Sequence, residues 1–370
     1  MWASMSWIKL ISINLFVLIV LLLLLEGGAR LAWTLKTCMA GMCDYSRLNH
    51  LAVRELPEDV KIDFLETNQQ LGYIPTPGFN RIINFRHWPQ VKVSINEDGY
   101  RNNDNNGINT HSILAVGDSF TFGDQVSNHN TWPSYLERSL NKGITNAGVS
   151  GYGAAQAVKR AEIILKSNHY DTVILSVLLS DDFHRDQLDY FSGFPRPAVI
   201  INHGIVEWAP LSSLDAQGSK WNPVPLSPSL TFLKYAWRYS IIAATLIDRI
   251  SAIKNISIDW TGRRLTRKHP DSATIDAIIN FTFEKLSLLP VAEKYVLFQY
   301  SQGDLFNPKI EKIRHMATNA ARRRHINILD SFDYLKAATE VSSSPIWDRH
   351  HTVYGNQLVC QFVASNIKSK

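Results

Sequence analysis

Cysteine is scarce: three in 370 residues, too few for a disulfide-stapled scaffold. Charge is modest too, at 19% of residues, while 45% are hydrophobic and 11% aromatic, a balance that excludes a disordered chain. There is no internal repeat, no low-complexity tract and no long run of one charge. The formal net charge of +5 comes from 38 basic and 33 acidic residues spread along the chain. Its basic clusters are short, Arg263, Arg264, Arg267 and Lys268, then Arg322, Arg323 and Arg324, so nucleic acid is not an expected partner. What remains is a globular protein of about two domains, or one domain with a large insertion.

One end is unusual. Residues 10–25 are apolar except for Ser12 and Asn14, and no Ala-x-Ala cleavage site follows. The run is slightly short for a bilayer unless the flanks contribute, so the expected membrane segment is residues 8–33, within an anchor domain of residues 1–35. A buried core helix would show a polar face, and this segment shows none. Lys9 before it and Arg30 and Lys36 after it nearly balance the positive-inside rule. Cys38 and Cys43, close together beyond the segment, can pair in an oxidising compartment, which favours an extracytoplasmic bulk. Cys360 lies in an apolar helical pattern and reads as core.

Residues 36–105 read as a loop-rich preface with one or two strands. From residue 106 short apolar runs alternate with helical periodicity. Strands are expected at 113–116, 144–149, 173–179, 295–300 and 326–329, with helices after Thr131, from Ala154, at 310–324 and at 355–367. Such alternation predicts an α/β fold, a three-layer α/β/α sandwich on a mainly parallel sheet. Residues 184–290 break the pattern and read as an inserted cap. Within it are a hairpin around Asn202, His203 and Gly204 and an apolar helical stretch over 230–250. Lys234, Arg238, Asp248 and Arg249 argue against a second span there.

Four motifs fall at strand ends of this unit. Gly117-Asp118-Ser119-Phe120-Thr121-Phe122-Gly123 follows the first buried strand, where open α/β folds bind ligands. Asp118 and Ser119 can equally cap the next helix. Asp348-Arg349-His350-His351 precedes the last helix. A serine hydroxyl needs a histidine base, and the histidine a carboxylate to hold its tautomer, which Asp348 with His350 or His351 can provide. Asn146-Ala147-Gly148-Val149-Ser150-Gly151 ends the second strand, where a glycine amide can face an oxyanion. Ser180-Asp181-Asp182-Phe183 ends the third. Singly, each reads as a turn or a polar loop.

Together the GDSFTFG, NAGVSGYG and DRHHTVYG blocks resemble the first, second and last blocks of the SGNH/GDSL hydrolase family. Asn96-Glu97-Asp98-Gly99-Tyr100-Arg101 and the apolar leader resemble a membrane-anchored bacterial branch. The resemblance implies a flavodoxin-like domain over residues 106–370. It implies Ser119 as nucleophile, His350 as base with His351 as fallback, and Asp348 as its partner. The oxyanion hole would be the amides of Ser119 and Gly151, with Asp181 where the family has an asparagine donor. That last position departs from the pattern, because an ionised carboxylate cannot donate. His184 and Arg185 nearby can substitute as donors or lie in a solvated loop.

The expected function is an extracytoplasmic serine esterase acting on O-acyl, chiefly acetyl, esters of a carbohydrate or envelope polymer, with no metal or organic cofactor. O-acyl transfer would use the same acyl-enzyme. A membrane-anchored binding or assembly protein with an impaired site is the reading from another class. Tyr190, Phe191, Phe194, Trp208 and Trp221 read as core aromatics or as a sugar-stacking wall.

Overall fold

Alternation along the buried strands sets the layers. The computed structural model describes residues 7–39, 64–83, 90–105, 111–191, 194–209, 211, 228–253, 256–258, 265–267 and 271–368. Helix α1 (Trp7–Met39) is followed by strands β1 (Leu65–Asn68), β2 (Gly72–Pro75), β3 (Asn80–Ile83) and β4 (Val91–Ser94). Next come β5 (His111–Val116), α2 (Ser119–Phe122), α3 (Trp132–Leu140), β6 (Gly143–Asn146), α4 (Ala154–Ile164), β7 (Thr172–Leu178) and α5 (Asp182–Arg185). Four short strands, β8 (Tyr190–Phe191), β9 (Phe194–Pro195), β10 (Val199–Asn202) and β11 (Ile205–Trp208), precede α6 (Pro228–Tyr239) and α7 (Ile241–Ile253). After β12 (Ile256–Ile258), β13 (Leu265–Arg267) and α8 (Ser272–Ser287), the chain runs through β14 (Glu293–Gln299), α9 (Pro308–Arg322), β15 (Asn327–Asp330) and α10 (Phe332–Val341). The hairpin β16 (Trp347–Asp348) and β17 (His350–His351) leads into α11 (Val353–Lys368).

The main sheet has the order β15-β14-β7-β5-β6, parallel at every pairing. Side chains of a strand alternate between faces, so Leu114 and Val116 enter one core while Ile113 and Ala115 enter the other. The first core includes Ala157 and Val158 of α4, Ile278 and Ile279 of α8, and Ala317 of α9. The second includes Trp132 and Leu136 of α3 with Val359 and Val363 of α11. The result is a three-layer α/β/α arrangement. Because β6 and β7 lie on opposite sides of β5, the chain changes direction across the sheet at the carboxyl end of β5, where a crevice opens.

The chain forms two compact units, one of Met1–Lys61 with Asn222–His269, the other of Ile62–Trp221 with Pro270–Lys370. This partition differs from two domain expectations. The preface over 36–105 is not one unit, since its residues from Ile62 onward belong with the α/β fold. Four strands pair there as β1–β2 and β3–β4, and Phe64 stacks on Phe122 at 5.0 Å between centroids. Nor does the insertion extend over 184–290. Arg196 is fully buried and donates to the carbonyl of Gly151, and α8 places Ile275, Ile278, Ile279, Phe283 and Leu286 in the α/β core. The expected helix over 230–250 is two helices that part at Ser240.

In the smaller unit, α1 contains a 22-residue window, Ile11–Ala32, of mean hydropathy 2.4, long and apolar enough to cross a membrane. At 1.5 Å per residue it extends about 33 Å. The flank beyond Leu25 is therefore part of the helix, as the required length predicts. Cys43 and the side chain of Cys38 lie outside the described residues, and Cys360 is buried and outside any disulfide.

Candidate active site

Ser119 begins α2, three residues beyond the end of β5. Asp118 caps this single turn, its Oδ1 accepting from Phe120 N at 2.9 Å, and Gly123 ends it at φ +84. The capping reading of Asp118 thus holds, and it holds alongside a second role described below. The turn can be this tight because the loop after β6 closes on it: a Cβ on Gly148 would lie 2.4 Å from the Phe122 amide nitrogen. Asn146 ties the two segments, donating to Thr121 O at 3.0 Å and accepting from Gly148 N at 3.1 Å.

The histidine comes from the far end of the sequence. Antiparallel pairing sets Asp348 opposite His350 and Trp347 opposite His351, with Arg349 at the turn in a left-handed conformation of φ +68. Adjacent residues of a strand point to opposite sides. His350 Nε2 meets Ser119 Oγ at 2.8 Å. His351 is buried instead between Phe120, 4.8 Å away edge-on, and Trp347. Of the two candidate bases, the structure brings His350 to the serine. Its backbone amide is held by Gln125 Oε1 at 2.8 Å. Asp348 is exposed on the hairpin and, with Gln125, Pro345 and Thr352, lines a cleft of about 310 Å³.

Burial, then the charges of Arg185 and Arg349, lowers the His350 pKa to about 4, so the imidazole is neutral over the ordinary range. His351 is pushed down to about 3, by burial first and by His350 second.

Beside Ser119 lies a charge cluster. Arg185 Nη1 donates to Asp118 Oδ2 and to Asp182 Oδ1, both at 2.9 Å, and Nη2 to Asp181 Oδ2 at 3.0 Å. Ser119 Oγ lies 3.4 Å from the same Asp118 oxygen. Burial raises the pKa of Asp118, partly opposed by Arg185. Burial, with Asp118 next, raises that of Asp182 further. Burial also works against the charge of Arg185, but the three carboxylates outweigh it. The Asp181 carboxylate, half exposed, is paired with Arg185 at 3.0 Å. Asp181 and Asp182 stand four and three residues before Arg185, the helical spacing for ion pairs, which is the signal by which the cluster could have been read.

Gly151 has φ +77, and a Cβ there would fall 2.3 Å from the Phe191 ring, so only glycine fits. Its carbonyl accepts from Arg196 Nη1 at 3.0 Å, and the preceding carbonyl of Ser150 accepts from Tyr73 Oη at 3.1 Å. The expected wall of aromatics does not stand free. Phe191 and Phe194 pack on Tyr73 at 5.6 and 5.4 Å, and Trp208 packs edge-on against Phe281. Trp221 and the side chain of Tyr190 lie outside the described residues.

Arg101, which ends the NEDGYR block, was not expected at the site. Fully buried, it donates to the carbonyls of Phe122, Gly123 and Val126 and to Asn128 Oδ1, fixing the segment that carries Gln125.

No protein-family model matches the chain, and no curated protein sequence does. Among solved structures it is similar to a member of the lipolytic protein G-D-S-L family from Veillonella parvula DSM 2008, at 11% identity and a TM-score of 0.40, over 70% of this chain and 99% of that one. It is also similar to an acetylxylan esterase from Geobacillus stearothermophilus, at 13% identity and 0.39, over 70% and 95%. A third is an α/β hydrolase enzyme from the metagenome of Lake Arreo, Spain, at 11% identity and 0.37, over 70% and 95%. These are similarities of chain course, and what the protein does rests on its own residues.

Proposed function

We propose that the protein is a membrane-anchored serine esterase that hydrolyses O-acyl esters, acetyl esters foremost, on a carbohydrate or envelope polymer outside the cytoplasm. The observation that carries this reading is the 2.8 Å approach of His350 Nε2 to Ser119 Oγ at the carboxyl edge of a parallel sheet. Ser119 Oγ attacks the acyl carbonyl as its proton passes to Nε2. The carbonyl oxygen becomes an oxyanion held by the amides of Ser119 and Gly151. When the tetrahedral intermediate collapses, the alcohol leaves with the proton from His350. Water then gives a proton to His350 and attacks the acyl-enzyme, releasing the acid and restoring Ser119. Asp348 is assigned to the imidazole as its cross-strand neighbour. Where the family has an asparagine donor this chain has Asp181, whose carboxylate is paired with Arg185.

The test is turnover of p-nitrophenyl acetate by the detergent-solubilised full chain beside Ser119→Ala. Wild-type turnover should fall by about a thousand-fold or more in the variant, since serine and histidine act as a unit. An organophosphate should add its mass to the peptide containing Ser119. Equal turnover by both proteins, with no adduct, overturns the assignment.

A further inference from the structure

Helices α6 and α7 carry apolar stripes that no described residue of their unit covers. Phe232, Tyr235 and Tyr239 stand at i, i+3 and i+7 of α6, and Phe232 is 72% exposed. Leu246 and Ile250 stand at i and i+4 of α7, each more than half exposed. A helix that packs on a soluble core turns such a stripe inward. These helices are held so that the stripes stay out.

The hold comes from α1. Glu26 Oε1 accepts from Ile241 N at 2.7 Å, and its Oε2 accepts from Ser240 Oγ at 2.8 Å and Ile242 N at 3.3 Å. A carboxylate from another helix thus caps the start of α7. Arg30, paired to Glu26 at 3.0 Å, donates to the carbonyl of Tyr239 at the end of α6. An anion sits at one helix N-terminus and a cation at the other helix's C-terminus, the arrangement that the two dipoles favour. The α6–α7 turn is therefore clamped at the level of residues 26–30 of α1, in the last turns of the apolar window that ends at Ala32. With the bilayer around that window, Glu26 lies about 9 Å from the end of the apolar stretch.

From this geometry we infer that α6 and α7 form an interfacial helical hairpin lying in the headgroup boundary of the bilayer that α1 crosses, with Phe232, Tyr235, Tyr239, Leu246 and Ile250 set against lipid. The inference rests on the proposed reading of α1 as a membrane anchor. The hairpin's other chemistry fits a lipid surface. Tyrosines favour the boundary between acyl chains and headgroups, and Lys234, Arg238 and Arg249 outnumber Asp248, a basic excess suited to anionic headgroups. Neither helix can span: α7 has 13 residues, about 20 Å, against the roughly 30 Å of a hydrocarbon core. The clamp also explains two ionisable residues, Glu26 and Arg30, inside a mostly apolar window, since they pair with each other and with the hairpin.

The experiment uses the full chain in vesicles of phosphatidylcholine with a minority of phosphatidylglycerol. Cys38→Ser and Cys43→Ser remove the other two thiols of the chain, and Cys360 is buried. Single cysteines at Leu18, Phe232, Leu246 or Val341 then carry an environment-sensitive fluorophore. Tyr235 and Ile250 serve as second positions on the two stripes. Lipid-borne doxyl should quench the labels at 18, 232 and 246, the last two from a shallower depth, while iodide alone quenches the label at 341. If 18 is quenched by lipid and 232 and 246 behave like 341, the hairpin inference fails and the anchor stands. Labels at 232 and 246 shielded from both quenchers would mean that protein covers the stripes, which also overturns it. A label at 18 that lipid does not quench removes the anchor and the hairpin together.

Discussion

A serine base must be neutral to accept a proton, and burial supplies that state at His350. With its pKa lowered to about 4, the imidazole is competent above that pH and is lost as pH falls through it. The acid limb of kcat/KM for ester hydrolysis should therefore lie near 4, well below the 6.5 of free imidazole. Arg349 is one of the cations that hold it down. Arg349→Gly removes that charge and relaxes a positive φ, so the limb should move upward by about a few tenths of a unit with the fold intact. A limb near 6.5 in the wild type, unmoved in the variant, would remove His350 from the proposed role. Ser119 and His350 were legible in the sequence because each sits in a local motif at a strand end, where chemistry and position coincide. The burial of Arg185 and Arg101 was not. Their contribution lies in being buried among carboxylates or carbonyls, and burial of a charge is decided by elements far apart in the chain.

Between elements, the most telling tie is Arg101. It joins the segment after β4 to the loop after α2, and its guanidinium stands 4.6 Å over the Phe122 ring. Replacing it leaves the carbonyls of Phe122 and Val126 buried without the guanidinium, while that of Gly123 keeps the Val126 amide, at about 1–3 kcal/mol for each group left unsatisfied. Arg101→Met should therefore lower stability by about 2 kcal/mol or more, read as an earlier urea midpoint of tryptophan fluorescence. It should also depress kcat, because the freed loop carries the Gln125 that holds His350. An unchanged midpoint would mean that water replaces the guanidinium at no cost. Strands 113–116 and 173–179 were readable within a residue or so, since buried parallel strands are continuous apolar runs. The strand expected over 144–149 ends at Asn146, where Gly148 turns against α2. The stretch over 230–250 splits at Ser240 because a residue more than 200 positions earlier caps a new helix, which no local pattern reveals. Ile275, Ile278, Ile279 and Leu286 of α8 stand at helical spacing but fall inside the insertion expected over 184–290, and only their burial joins them to the α/β core.

At the scale of the whole molecule, sequence neighbourhood misleads about partition. Residues 222–269 form one unit with the N-terminal helix, while residues 62–105, next to that helix in the chain, belong to the α/β unit. A boundary drawn from composition follows the chain, whereas these units are closed by tertiary ties such as Glu26 to Ile241 and Tyr152 to the Tyr73 carbonyl. The α/β architecture was legible nonetheless, because five parallel strands and their helices repeat one period. Orientation across the membrane is a different matter, since Lys9 against Arg30 and Lys36 barely biases it. The proposed function requires an extracytoplasmic α/β unit, and one residue tests it. Val341, at the end of α10, is 86% exposed, so Val341→Cys in the Cys38→Ser, Cys43→Ser background offers an accessible thiol. In intact cells an impermeant maleimide should label it fully, with no gain after permeabilisation. Labelling only after permeabilisation would put the α/β unit in the cytoplasm and exclude an envelope polymer as its substrate, while leaving the Ser119–His350 chemistry untouched.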